Sequence, residues 1–505
     1  MDSQPPINPL LYAPNLHLFA FHLWRGLTGE TDSLVSNPHQ LWQKGDEILK
    51  RLGFHERLHL YGYPEASPEP PGAYVNLHPQ TCLKLAGRLP YSDLKITGRV
   101  LTYRLYDSYS LTINLRRPEQ EYQQKTPEVP LTFWRNLNTE EQIFLPDFVQ
   151  SSLGQTLLLT AFLPATETNQ KAQDLQEFAR RCLEQLMPSR KIKRPPLYHW
   201  GEVFGSPIFQ FGGQVLDANL VEEAEIQPHI LVLLWRDELA SAKFVDAYER
   251  FINLFYYRNK VLAAYSETRT LYRKTYQAYT DLEKKVKNFK GLLSQKSSGQ
   301  QLSEGELREL KSVLKELAVL DLEYARLLRN YKHCRNTISI NTKNYLVTLG
   351  EIVNTLQEQG YDLQGGELDF FQEFGTRTSP YFQTRIGDEL NYFVEGSSLA
   401  DKAIASLRGI VEIEQTQRDR TLQEQNEKLQ DKIQALGVGI ATGAIIASTS
   451  ALIWQDPVSC PWSKTPVQSC HPFILAVGVS LVFAVAAWWG AKCLIGYNRQ
   501  RGQGG

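Results

Sequence analysis

Four residues near the carboxyl end could act on an ion. Thr442, Ser448 and Thr449 are hydroxyls inside an apolar stretch, and Asp456 follows just beyond it. Hydroxyls on a helix of membrane length can line a narrow pore, and a carboxylate repeated around an oligomer forms a charged ring at its mouth. Each has an ordinary alternative. A Ser or Thr in such a helix can bond back to the carbonyl four residues earlier. Asp456 beside Pro457 can equally be a loop acid.

Other chemistry-bearing types form no constellation. The 10 histidines are scattered. His55 and His59 are four apart, but Gly53 and the strand-like LHLYG around them argue against one helix face. Ser206 and Ser397 follow glycines without the elbow pattern of a nucleophile. Glu222 and Glu223 read as solvated loop charges. No Gly-x-x-x-x-Gly-Lys-Ser/Thr loop occurs, and no Cys/His spacing suits zinc. No catalytic residue, metal ligand or cofactor is assigned. Net charge is −1, so no nucleic-acid partner is expected.

Two uncharged apolar stretches, residues 435–454 and 473–491, dominate the carboxyl end. At ~1.5 Å per residue, about 20 residues cross roughly 30 Å of hydrocarbon. Lys428 and Lys432 precede the first stretch, and Lys492, Arg499 and Arg501 follow the second. The connecting loop holds only Lys464 as a base. Positive flanks stay inside, so both termini are expected in the cytoplasm and the loop outside, in a multi-pass protein of the plasma (inner) membrane. The start, MDSQPPINPL, lacks the marks of a signal peptide. The first span is small-faced. Gly437 lies on one small stripe, and Gly439 and Gly443 form a Gly-x-x-x-Gly pair extended by Ala447, which lets helices approach closely. Of 6 cysteines, Cys460 and Cys470 sit alone in the outer loop and are expected to pair there. Cys82, Cys182 and Cys334 read as free, mostly buried thiols.

The fold class expected is an α+β cytoplasmic domain with a mixed sheet, then a long helical coiled-coil and stalk region, then a C-terminal two-helix transmembrane hairpin. The segments are 1–236 (α/β), 237–397 (helical hairpin and helical region), 398–434 (stalk), 435–455 (first span), 456–472 (outer loop), 473–495 (second span) and 496–505 (tail). Alternation at Leu16, Leu18 and Ala20 gives a strand. Leu101, Tyr103 and Leu105, then Leu111, Ile113 and Leu115, flank a turn at Asp107-Ser108 and give a hairpin. Buried strands are expected near 156–163 and 229–235, and helices near 38–52 and 171–187. Residues 190–196 (RKIKRPP) could hold an anion but read better as a stiff linker. Phe370, Phe371 and Phe374 are expected to pack, since the acids around them disfavour a lipid surface.

Beyond 237 the periodicity is helical. Ser303 with Glu306 makes a capping box, and Leu307, Leu310, Leu314, Leu317, Asp321, Tyr324, Leu328 and Tyr331 repeat at spacings of three and four. The helices at 237–293 and 303–331 should fold back on each other, with a further helix over 341–359. The stalk, about 38 residues and roughly 57 Å, carries Leu422, Leu429 and Leu436 at seven-residue intervals. So narrow a stripe suits a bundle of identical helices, with packing inside one chain as the alternative.

This order of parts resembles the CorA-type divalent-cation transporters. The resemblance is one of architecture. The Gly-Met-Asn of that family is absent, and Trp454-Gln455-Asp456-Pro457 stands in its place. It implies a pentameric homo-oligomer and a divalent cation as cargo. The function expected from it is an oligomeric ion channel or transporter gated from the cytoplasm; the alternative is a membrane-anchored sensor or effector that binds a cytoplasmic small ligand or protein and does not conduct.

Overall fold

The computed structural model describes residues 9–24, 37–60, 74–90, 92–138, 142–189, 192–214, 227–294, 302–453, 458–459 and 469–502. Two compact units divide the chain: 1–287 with 317–401, and 288–316 with 402–505.

The first unit is built on a ten-stranded sheet. Its strands are β1 (Leu10–Leu23), β2 (Tyr74–Asn76), β3 (Leu83–Arg88), β4 (Lys95–Leu105), β5 (Ser108–Arg116), β6 (Val129–Pro130), β7 (Gly154–Phe162), β8 (Leu197–Val203), β9 (Ser206–Gly212) and β10 (His229–Trp235). The order is β8-β9-β10-β7-β1-β5-β4-β2, with β3 beside β4 and β6 beside β1. The sheet is mixed through one parallel pair, β7 with β10; β1 is antiparallel to both β5 and β7. The helices are α1 (Gln40–Arg51), α2 (Thr132–Leu137), α3 (Pro146–Val149), α4 (Gln176–Leu186), α5 (Glu238–Asp246), α6 (Tyr248–Ser294), α7 (Glu304–Glu358), α8 (Asp369–Glu373), α9 (Ser379–Ile453) and α10 (Pro472–Gly502). A π-helical turn, Phe374–Thr378, joins α8 to α9.

Alternation along a strand sends successive side chains to opposite faces, and here both faces are apolar. Leu16, Leu18 and Ala20 of β1 join Leu157 and Leu159 of β7 and Ile230 and Val232 of β10 in a core with α1, α2 and α4. Phe19, Phe21, Leu158, Leu231 and Leu233 point the other way, into Phe244, Phe251 and Phe255 of α5 and α6 and Phe371 of α8. Phe371 lies 5.6 Å from Phe251, ring to ring, and Phe370 is buried as well, so this aromatic cluster is packing, as expected. The helices from Glu238 onward thus share a core with the sheet.

The helices α6, α7 and α9 run alongside one another. Tyr265 stacks on Phe382 at 3.8 Å, Tyr272 meets Phe393 at 5.4 Å, and Tyr324 Oη donates to the Phe393 carbonyl at 2.6 Å. Arg269 donates to Tyr331 at 3.1 Å. Rising numbers on α6 therefore match rising numbers on α9 and falling numbers on α7, the antiparallel return that the periodicity implied. Two details differ from the sequence reading. The separate helices of 303–331 and 341–359 are one helix, because Cys334 and Ile338 are buried and carry it through. The helix that enters the first span begins at Ser379 rather than 398. Gly396 does not interrupt it; a Cβ there would lie 2.5 Å from Tyr279, so the glycine is a packing site.

In the second unit the capping box forms: Ser303 N donates to Glu306 Oε2 at 2.6 Å, and Glu306 N to Ser303 Oγ at 3.3 Å. Among the described residues, two helices are long and apolar enough to cross a membrane, one at the end of α9 and the other in α10.

Candidate functional site

The apolar hairpin uses Gly439, Gly443, Ser448, Thr449, Ser450 and Ser480 within itself. A Cβ at Gly439 would stand 2.9 Å from Trp488 Cβ and 3.0 Å from the Ala484 carbonyl, and one at Gly443 would stand 2.9 Å from Ala484 Cβ. The Gly-x-x-x-Gly pair is thus where α9 meets α10. Ala447 is half-buried. Gly437 has nothing within 4 Å of its Cβ position. Ser448 Oγ donates to the Ala444 carbonyl and Thr449 Oγ1 to the Ile445 carbonyl, at 2.9 and 2.8 Å; Ser450 and Ser480 also bond within their own helices. Thr442 is half-buried. Outward faces are apolar: Ile440, Ile445, Leu452, Val482 and Leu494 are exposed.

Asp456 lies outside the described residues. So does Cys460, and with it the pairing expected with Cys470; the backbone at Cys470 pairs with Val458. Cys82, Cys182, Cys334 and Cys493 are free thiols. Burial pushes Cys182 and Cys334 up to about 12, which leaves them inert. Glu222, Glu223, Arg190 and Lys191 are also outside the described residues. Within the basic segment, Arg194 Nε donates to the Met187 carbonyl at 2.9 Å.

The histidines that enter the core are satisfied there. His17 faces Tyr248 Oη at 3.1 Å and Asn114 at 2.9 Å, and His229 faces Thr156 at 2.9 Å. Burial holds both well below the usual imidazole range, His17 to about 3.

The cations of the body are more telling. Among the described residues, Arg117, Lys243, Arg258, Lys260 and Arg269 are the buried bases. Four have a carboxylate: Arg117 with Glu121 at 3.3 Å, Lys243 with Glu367 at 2.7 Å, Lys260 with Asp107 at 2.7 Å and Arg269 with Glu389 at 2.6 Å. Arg258 has none. Its Nη2 donates to the Gly213 carbonyl at 2.8 Å, its guanidinium lies 5.1 Å from the Phe374 ring, and its Nη1 is buried without a hydrogen-bond partner among the described residues. Only 5% of Arg258 is exposed, and burial pulls it down to about 10.

Arg258 lines a hollow of about 400 Å³ between β8, α6 and the π-helical turn. Its walls include Tyr198, Phe370, Phe374, Tyr381 and Phe382. A larger cleft of about 830 Å³ opens between β4, α6 and α7, lined by Arg99, Glu249, Arg250 and Glu351 among others; there Arg250 and Glu351 neutralise each other at 3.2 Å. Among the described residues, no group of three His, Cys, Asp or Glu could hold a metal ion.

Arg258 belongs to no motif in the sequence. A signal existed: Arg258-Asn259-Lys260 interrupts a helix that is apolar on both sides of it, and all three residues are buried. No family model matches the chain, and no characterised protein matches it in sequence.

Proposed function

We propose that this chain is a membrane-anchored sensor. The α9–α10 hairpin holds it in the plasma (inner) membrane with both termini in the cytoplasm, and the first unit binds a cytoplasmic small ligand. One contrast carries this reading. The hydroxyls Ser448, Thr449, Ser450 and Ser480 are turned to their own helices, whereas the body keeps two ligand-sized hollows.

A second reading, an oligomeric conductor of a divalent cation on the CorA plan, is favoured by one feature. Leu422, Leu429 and Leu436 are 57%, 57% and 53% exposed, and a seven-residue apolar stripe left open on a helix suits self-association.

The purified full chain in liposomes containing a fluorescent magnesium reporter separates the two. The sensor reading expects the protein to stay in the membrane fraction after an alkaline wash and to pass no ion. Ion flux would install the second reading, and partition into the aqueous phase without detergent would remove both.

A further inference from the structure

We propose that the hollow floored by Arg258 is the binding site for a planar organic anion, one whose carboxylate or phosphate meets the guanidinium while its ring lies against the aromatic walls. This deepens the sensor reading by naming its ligand class; the site itself stands whether or not the hairpin conducts.

The first support is the missing counter-charge. Removing a cation from water costs several kcal/mol unless a partner repays it, and the other four buried bases of the described body each have theirs. Arg258 is held in place by the Gly213 carbonyl and left with an unused donor. The loop that supplies that carbonyl is built for close approach. Gly212 and Gly213 have φ of +62° and +73°, and a Cβ on Gly213 would stand 2.8 Å from Arg258 Nη2. An arginine fork with free donors matches carboxylate and phosphate oxygens.

The second support is the shape and chemistry of the walls. Five aromatic rings line the hollow, and its volume falls in the range of small-ligand pockets. One wall is the π-helical turn Phe374–Thr378, a rare irregularity that is frequent at functional sites.

The third is the charge at the rim. Glu373 is tied to His199 at 2.9 Å and to Arg377 at 3.2 Å. Among the described lining residues Glu373 is the one acid, and these two partners offset its charge; Arg377 stands at the rim, 80% exposed.

The test uses the full chain in detergent, with thermal unfolding and calorimetric titration as readouts. The probes are adenosine 5′-monophosphate, 4-hydroxybenzoate and inorganic phosphate at millimolar concentration, with adenosine and 4-hydroxybenzamide as neutral counterparts. At least one planar anion is expected to raise the unfolding midpoint while its neutral counterpart does not, and the anion that succeeds tells phosphate from carboxylate. In Arg258→Met the shift should vanish while the ligand-free midpoint holds or rises, because an uncompensated charge has gone. If that variant fails to fold, Arg377→Glu at the exposed rim serves, with an expected loss of about ten-fold in affinity. No shift from either planar anion, a shift that survives Arg258→Met, or one reproduced in full by inorganic phosphate would overturn the proposal. None of these results bears on membrane retention or ion flux, so the site and the anchor can fail separately.

Discussion

Arg269 grips Glu389 through Nη1 and Nη2, at 2.7 and 2.6 Å, and so ties α6 to α9. Tyr331 of α7 bonds to the same carboxylate, so three helices meet on one acid. Burial pushes Glu389 up, but the hydrogen bonds from Arg269 and Tyr331 and the charge of Arg269 outweigh it and hold the carboxyl below its ordinary value.

Glu389→Gln should cost about 3–5 kcal/mol, because it leaves Arg269 buried without its counter-charge. Arg269→Met combined with Glu389→Leu should restore most of that loss. Urea unfolding of the wild type, Glu389→Gln, the single variants Arg269→Met and Glu389→Leu, and the double variant checks both statements, and additive losses in the double variant would refute the coupling. The pair also sets an acid limit. Its contribution is present above the unfolded carboxylate pKa and is lost as pH falls through the lower folded value.

His17 and His229 should make the body sensitive to milder acid. Both are held neutral by burial, with folded pKa values far below 6.5. The unfolded chain takes up these protons near pH 6.5 and the native chain does not, so stability is full above that value and falls below it. Each histidine should contribute about 1.4 kcal/mol per pH unit once the pH is well under 6.5. Unfolding midpoints between pH 7.5 and 5 measure the slope. His17→Gln should flatten it by one proton; an unchanged slope in that variant would count against the assignment.

Gly439 and Gly437 should respond differently to the same change. Gly439→Val drives a side chain into Trp488 and the Ala484 backbone, at a cost of about 1–3 kcal/mol for overpacking. Gly437→Val meets open space and should leave the detergent unfolding midpoint within the error of the measurement. Equal responses would mean that the hairpin does not close at Gly439 and Gly443.

Leu429 tests self-association. It is more than half exposed in the single chain, so Leu429→Glu should alter monomer stability by less than about 0.5 kcal/mol. If copies meet along this stripe, the particle mass in detergent should fall to that of one chain. A wild-type particle that is already monomeric would remove the stripe from consideration.

Much of the sheet could be read from one dimension. The β4–β5 hairpin is legible because apolar residues alternate on both sides of Asp107-Ser108, and β7 and β10 because TLLLTAFL and HILVLLW are unbroken apolar runs. The β8–β9 hairpin was missed. Its outer strand alternates in burial without alternating in hydropathy, and Gly201 and Pro207 sit inside the pair. The helix expected from 171 begins at Gln176, since the residues before it form turns.

The sequence by itself determined the features that depend on local composition and period: two membrane-length apolar helices, a hairpin of β-strands, a capped long helix and a Gly-x-x-x-Gly face. Only the tertiary structure decided what those features touch. It turned Gly439 and Gly443 toward α10 of the same chain, made Gly396 a seat for Tyr279, and, among the described residues, gave each buried base a carboxylate except Arg258. The physical reason is that, Arg117 and Glu121 apart, a buried charge's partner lies far away along the chain. Arg269 and Glu389 are 120 residues apart and Lys260 and Asp107 are 153 apart, and no window of sequence shows which of several acids will arrive, or that none will.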